Sequence, residues 1–176
     1  FTRYTPRMTV NPSRKHLVLL GAGRAHLQVL KSLARQGTGD MNVTLVAPHP
    51  YYIESAMLPG YVAGDYVLED LRIALDGLVE ASGAHFVPAH VISLDPAGRR
   101  VQLSSGDAVP YDVLSVNVEP AVDRDAVEAV MPGARRNALF TRPLETFVQL
   151  WPQLQALARE RALQVAVVGD GVPAIE

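Results

Sequence analysis

The sequence contains no cysteine, and this absence removes several classes of function at once. Without thiols, the chain has no disulfide framework, no thiolate metal site and no redox-active cysteine pair. Long hydrophobic runs are also missing, since none approaches the roughly 20 apolar residues that cross a bilayer. The N-terminal residues 1–14 are polar and lack the apolar region of a secretory signal. We therefore expect a cytoplasmic protein, and the question of contact with a membrane surface stays open.

A charge excess of one sign is absent as well. The 176 residues include 16 basic and 18 acidic side chains, which leaves a net charge of −2 and no basic surface for nucleic acid. Hydrophobic residues make up 48% and charged residues 19%, a composition typical of globular proteins. We predict no nucleic-acid partner, and nothing indicates the oligomeric state. No metal site is predicted, because four of the five histidines, His26, His49, His85 and His90, do not share the spacing of metal ligands.

The first recognisable pattern is a strand, a glycine turn and a helix in sequence. An apolar run over residues 16–20 ends at Gly21, as expected for a strand buried on both faces. Residues 24–35 then show the apolar spacing of a helix, and residues 43–46 form a second strand that Pro48 closes. This stretch has the size of one βαβ unit.

The turn between strand and helix, Gly21-Ala22-Gly23-Arg24, matches the dinucleotide-binding pattern G-x-G-x-x-G, with His26 at the third glycine position. In this pattern the first glycine permits the tight turn, and the second lets the backbone approach a pyrophosphate. The start of the helix then supplies free N–H groups to the phosphates. We therefore predict nucleotide binding at this turn. His26 implies that the helix sits further from the strand, or that the imidazole fills a nearby space.

The usual acidic companion of this pattern is missing. An Asp or Glu at the end of the second strand normally binds the ribose hydroxyls. Here that position reads Ala47-Pro48-His49. Ribose contacts would have to come from the backbone or from the loop that follows.

The remaining sequence predicts an α/β fold with an antiparallel insertion. Two tight turns, at 96–98 and 105–107, indicate a three-stranded β-meander. The other expected elements are an irregular segment at 48–68, a helix at 68–81, strands at 85–87 and 112–118, a loop at 119–142, a helix at 143–161 with Pro152 inside it, and a strand at 163–168. That last strand leads into Gly169-Asp170-Gly171, which looks like a second dinucleotide-binding turn.

Two glycine turns separated by a meander resemble the FAD-dependent pyridine nucleotide-disulfide oxidoreductase superfamily. The narrower resemblance is to type II NADH dehydrogenases, sulfide:quinone reductases and the NADH dehydrogenase-like proteins fused to selenide, water dikinase. Residues 16–34 (HLVLLGAGRAHLQVLKSLA) and 57–64 (MLPGYVAG) carry it. The resemblance implies a Rossmann-like FAD/NAD(P)-binding domain, with FAD at the first turn and NAD(P)H at the second. Hydride would pass from NAD(P)H to the flavin and on to an acceptor that the sequence does not identify.

The resemblance also assigns site residues and domain limits. Gly21, Ala22, Gly23 and the backbone around Arg24 would face the FAD pyrophosphate. The residues expected near the adenosine are Ala47 and Pro48 at the ribose and Val91 at the adenine, and Gly169 and Gly171 would belong to the NAD(P)H site. The division of the chain is a loose tail at 1–15, the N-terminal portion of an FAD-binding domain at 16–162, and the start of a truncated NAD(P)-binding domain at 163–176. No catalytic residue is assigned.

One departure from the family pattern leaves two alternatives open. Relatives follow the stretch Tyr111–Leu114 with a small-residue turn containing glycine, but Glu119 occupies the glycine position here. A carboxylate close to an FAD phosphate would be unfavourable. The chain could therefore be a degenerate, non-catalytic nucleotide-binding module. A single-Rossmann NAD(P)-dependent dehydrogenase is the second alternative, against which the meander and the second glycine turn argue.

Overall fold

The computed structural model describes residue 11 and residues 13–169. It divides into two compact units. The first unit runs to Tyr52 and resumes over Ala74–Val118, and the second covers Ile53–Ile73 and the chain from Glu119 onward. The strands are β1 Lys15–Leu20, β2 Met41–Ala47, β3 Tyr51–Ile53, β4 Arg72–Ala74, β5 His85–Pro88, β6 Val91–Asp95, β7 Arg100–Leu103, β8 Ala108–Pro110 and β9 Val113–Val116. The helices are α1 Arg24–Gln36, α2 Leu58–Ala63, α3 Leu68–Leu71, α4 Asp76–Ser82, α5 Arg124–Val130, α6 Ala134–Asn137 and α7 Leu144–Glu160, with a 3₁₀ turn at Ser55–Met57.

A four-stranded parallel sheet in the order β5-β2-β1-β9 forms the centre of the first unit. The predicted strand–helix–strand unit is confirmed, because β1 and β2 pair in parallel along their length with α1 as the crossover. All four carboxyl ends consequently lie along one edge of the sheet. In open α/β sheets this is the edge outside which ligands bind.

The two faces of the sheet are covered by different layers. Alternate residues of β1 point to opposite faces, so Val18 and Leu20 join a core with Val101 and Val109 of the meander. Leu19 points to the other face, where it joins a core with helices α1 and α4. The buried residues of this core are Leu19, Leu27, Leu30, Val43, Leu45, Leu75 and Val79. The first unit is thus a three-layer arrangement of helices, parallel sheet and meander, which confirms the predicted fold class.

The meander itself is confirmed as a three-stranded antiparallel sheet, β6-β7-β8. Gly106 takes the positive φ that its turn requires, at 92°. The register shifts between Val91 and Ser93, which marks an irregularity at the start of β6.

The predictions for two segments, residues 48–68 and 68–81, were wrong. Residues 48–68 are not irregular but contain β3, the 3₁₀ turn and α2. The predicted helix over 68–81 is interrupted by β4. The residues on the two sides of β4, Leu71 and Leu75, form main-chain hydrogen bonds with the segment around β3 instead of within a helix. The Glu54 N–H donates to the Leu71 carbonyl at 2.8 Å, and the Leu75 N–H donates to the Pro50 carbonyl at 3.0 Å. Pairing with a distant segment has overridden the local helical periodicity.

The C-terminal part was predicted less well than the N-terminal part. The helix at 143–161 is confirmed as α7, with Pro152 inside it, but the predicted loop at 119–142 contains α5 and α6. The predicted strand at 163–168 is not formed, and its apolar residues Val165 and Val167 are exposed. An apolar run becomes a strand only beside a partner strand, and no described strand pairs with it. In the described part of the chain, no helix has the length and apolarity needed to span a membrane.

Candidate nucleotide-binding site

The residues assigned to FAD lie along the carboxyl edge of the parallel sheet. The glycine turn follows β1, Ala47 and Pro48 end the neighbouring β2, and Val91 begins β6 just after β5. Ala47 is buried and its carbonyl accepts the Ala89 N–H at 3.2 Å, whereas Pro48 is exposed. Val91 is half-buried and packs against the core beneath the meander. The fold therefore brings these predicted residues to one side of the sheet.

Of the second glycine turn, the structure describes only Gly169. Gly169 has a positive φ of 147° but follows a segment without secondary structure. Gly171 lies outside the described residues. The assignment of these two glycines to an NAD(P)H site therefore stays a proposal.

The first glycine turn lies close to the carboxyl ends of two strands, β2 and β9. Gly21 has a φ of 84°, a left-handed conformation that side chains disfavour, and its N–H donates to the Val46 carbonyl at 2.8 Å. A Cβ on Gly21 would lie 2.9 Å from the Asn117 carbonyl carbon and would overlap its oxygen. This turn therefore requires glycine for two independent reasons.

Asn117 is the site residue that sequence reasoning missed. It follows β9, and its own N–H donates to the Leu20 carbonyl at 2.8 Å. Its main-chain oxygen accepts the Gly23 N–H at 3.3 Å, and its side-chain oxygen accepts the Ala25 N–H at 3.1 Å. The signal in the sequence is a polar residue near the end of the strand predicted at 112–118, in the turn where relatives have small residues.

His26 fills the space that the third glycine would leave. The imidazole is 1% exposed, with Nδ1 at 2.6 Å from the Gly21 carbonyl and Nε2 at 2.9 Å from the Ser115 hydroxyl. Because a carbonyl only accepts, Nδ1 carries the proton and Nε2 accepts from Ser115. Burial lowers the pKa of His26, and the bond to Gly21 opposes that shift. His26 thus holds the glycine turn against β9 as a neutral bridge.

The carboxylate of Glu119 is used within the second unit. It accepts from the Arg142 guanidinium at 3.1 Å and from the Leu144 N–H at 3.3 Å, in the first turn of α7. Burial raises the pKa of Glu119, Glu145 adds to the shift, and the bonds to Leu144 and Arg142 reduce it. The residue at the family's glycine position therefore has a structural role in positioning α7.

We expect Glu119→Gln to change the free energy of unfolding by less than about 1 kcal/mol at pH 7, and Glu119→Ala to cost about 2 kcal/mol. A raised pKa means that the folded surroundings favour the neutral carboxyl, which glutamine imitates while keeping an acceptor oxygen. Alanine leaves the Leu144 N–H and the Arg142 guanidinium without that acceptor. Urea unfolding of both variants tests this expectation. Equal losses in the two variants would instead show that the negative charge is what stabilises.

The stability of the first unit should fall as the pH drops from 7.5 to 5.5. Burial lowers the pKa of His16 as well as that of His26. The unfolded chain therefore takes up protons first, from about pH 6.5 downward, and the stability present above that pH is lost. The raised pKa of Glu119 would increase the stability as the pH falls, which opposes the effect of the two histidines. The urea series is therefore best run in the Glu119→Gln variant. Stability that stays constant or rises across this range would contradict the lowered pKa of the two histidines.

The residues that the structure describes contain no group of three or more acidic or histidine side chains able to hold a metal ion. The site is therefore a backbone cradle rather than a cluster of charged side chains. Its components are the N–H groups at the start of α1, the glycine turn, and the two residues that brace it, His26 and Asn117. Such a cradle suits a phosphate group.

Known proteins are similar to this chain in sequence and in fold. A type II NADH:quinone oxidoreductase of Staphylococcus epidermidis is 28% identical over 169 residues, which is 93% of this chain and 42% of that protein. The corresponding protein of Staphylococcus saprophyticus is 32% identical over 106 residues, 60% of this chain and 26% of that protein. The chain thus spans less than half the length of these curated relatives. No protein-family model matches the sequence.

A solved structure is similar to this chain in fold. The sulfide:quinone oxidoreductase of the hyperthermophilic bacterium Aquifex aeolicus superposes with a TM-score of 0.66 at 24% identity. The superposition covers 82% of this chain and 32% of that one. At this level of identity the structural likeness shows a shared fold.

Proposed function

We propose that the chain is the FAD-binding part of an NAD(P)H oxidoreductase of the FAD-dependent pyridine nucleotide-disulfide oxidoreductase superfamily. The observation that carries the proposal is the glycine turn between β1 and α1, at the carboxyl edge of a parallel sheet. The relatives named as NADH:quinone oxidoreductases suggest that NADH is the electron donor and a quinone the acceptor. We extend the same proposal to a position at a membrane surface.

The residues at the turn fit a pyrophosphate in their chemistry. Helix α1 has 13 residues and begins after Gly23 with Arg24-Ala25-His26, a first turn without acidic side chains. A helix of this length carries a partial positive charge at its N-terminus, where negative groups are stabilised. Gly23 contributes no side chain of its own at that N-terminus. Gly21, Gly23 and the backbone at Ala22 and Arg24 would hold the pyrophosphate.

The adenosine half of FAD would lie over the ends of β2 and β5. Ala47 and Pro48 offer no carboxylate to the ribose, so its hydroxyls would bind backbone groups there. Val91 would contact the adenine through its backbone, at the start of β6. When bound, FAD supplies the hydride-accepting chemistry. The chain supplies binding, orientation and a neutral environment, to which the uncharged His26 contributes directly.

The domain limits follow as part of the same proposal. Residues 16–162 would form the N-terminal portion of the FAD-binding domain, preceded by a tail at 1–15. Residues 163–176 would begin the NAD(P)H-binding domain. The exposed valines of 163–169 are compatible with a strand that pairs only when the rest of that domain is present.

A second candidate function is a nucleotide-binding module without turnover. The absence of an acidic residue at Ala47-Pro48 favours it, since the ribose loses its usual partner. The single-Rossmann dehydrogenase is less well supported, because the meander packed on the sheet is not part of a plain βαβ repeat.

The distinguishing experiment is an assay of the protein purified at its natural length and supplied with FAD. We expect NADH oxidation that depends on an added water-soluble quinone. FAD binding without oxidation of NADH or NADPH, with any acceptor tested, would favour the module without turnover. Binding of NADH but not FAD would favour the dehydrogenase.

A further inference from the structure

The carboxamide of Asn117 lies where the cradle is otherwise open. A Cβ placed on Gly23 would come within 2.6 Å of the Asn117 Cγ and would overlap its side-chain oxygen. That oxygen accepts the Ala25 N–H in the first turn of α1 at 3.1 Å. Asn117 therefore fills the space that the missing side chain of Gly23 leaves, and it also accepts the N–H of Ala25 beside that space.

The orientation of this carboxamide follows from its partner. The Ala25 N–H is a donor and requires an acceptor, so the oxygen and not the nitrogen of the side chain faces it. Gly23, the residue that precedes α1, has no side chain with which to cap the helix. Asn117 supplies the cap from the neighbouring strand end, in place of the Ser, Thr, Asp or Asn that usually precedes a helix.

We infer that Asn117 is an internal competitor of the phosphate ligand and sets the affinity of the site for it. The inference rests on the proposed function, since it concerns the pyrophosphate of the proposed FAD. A phosphate oxygen bound beside the Arg24 backbone reaches the next N–H of the same turn, that of Ala25, only by displacing the Asn117 oxygen from it. The exchange is favourable because hydrogen bonds to an ionised acceptor are about twice as strong as those between neutral groups.

Two substitutions of Asn117 should shift FAD affinity in opposite directions. Asn117→Ala frees the Ala25 N–H in advance, so the Kd for FAD should fall about two- to tenfold, the net value of one hydrogen bond. Asn117→Asp keeps the size of the side chain but adds a negative charge, which caps α1 more strongly and repels phosphate. Its Kd should rise at least about tenfold. Asn42→Ala is the matched control: it removes a half-buried asparagine of the same unit, whose side chain donates to the Asn11 carbonyl, and should leave the Kd unchanged.

The experiment is a titration of the protein at its natural length with FAD, followed by flavin fluorescence. Thermal unfolding of each variant without ligand should show Asn117→Ala less stable, and Asn117→Asp at least as stable, as the unsubstituted protein. If the unsubstituted protein binds FAD but a folded Asn117→Ala binds it equally or more weakly, the inference is wrong and the proposed function stands. An unchanged or lower Kd in Asn117→Asp would overturn it in the same way. If no variant binds FAD, the proposed function fails and the inference fails with it.

Discussion

Gly21→Ala should destabilise the protein by about 3 kcal/mol and weaken FAD binding at least about tenfold. Alanine at a φ of 84° costs roughly 1–2 kcal/mol in backbone strain alone. The added Cβ would also overlap the Asn117 carbonyl, which is main chain and has no rotamer to change. Relief of that overlap requires β9 and the glycine turn to separate, which moves the N–H groups on which a pyrophosphate would lie. Urea unfolding and FAD titration measure the two effects.

Gly106→Ala provides the matched control for this experiment. Gly106 has a φ of 92° in the same unit, and a Cβ there would have no atom within 4 Å. Its substitution should cost only the backbone strain, about 1–2 kcal/mol, with FAD binding unchanged. Equal losses for the two glycines would mean that the approach of Asn117 to the turn has no energetic weight.

His26→Ala should cost about 3 kcal/mol of stability. Burial of the imidazole is nearly complete, and truncation of a large buried side chain typically costs 2–5 kcal/mol. The Ser115 hydroxyl and the Gly21 carbonyl each lose a partner in the same substitution. We also expect weaker FAD binding, because the turn would no longer be held against β9.

The control for His26 is His90→Ala, in the same unit. The side chain of His90 is exposed, and the hydrogen bonds between His90 and Ser104 use main-chain atoms of His90. Its truncation should change the free energy of unfolding by less than about 0.5 kcal/mol. If His26→Ala were equally mild, neither the burial of the imidazole nor its two hydrogen bonds would stabilise the turn.

Local signals in the sequence explain how the centre of the fold was predictable. The apolar run at 16–20, the glycines after it and the helical stripe at 24–35 all describe contacts between neighbouring segments of one βαβ unit. Their limits agree with β1 and α1 to within one residue. The meander was predictable for the same reason, since tight turns at 96–98 and 105–107 fix its pairing locally.

The errors lie where distant segments decide the structure. Residues 72–74 have a helical pattern but form a strand, because residues 51–53 offer a partner. Residues 163–168 have a strand pattern but form none, because the described residues offer no partner. Asn117 was missed for a related reason. Its role depends on the pairing of β9 with β1, and this pairing brings residue 117, at the end of β9, beside residue 24, at the start of α1. Glu119, which appeared to oppose cofactor binding, is bound to Arg142 and α7 instead.

The measurement that tests the central claim most directly is the visible absorption spectrum of the protein purified at its natural length. We predict a yellow protein whose flavin band is released on denaturation and is identified as FAD by chromatography. A protein that is colourless as purified and stays colourless after incubation with FAD would contradict the account. The glycine turn, with His26 and Asn117 around it, would then be a structural feature of the fold that no longer binds the cofactor.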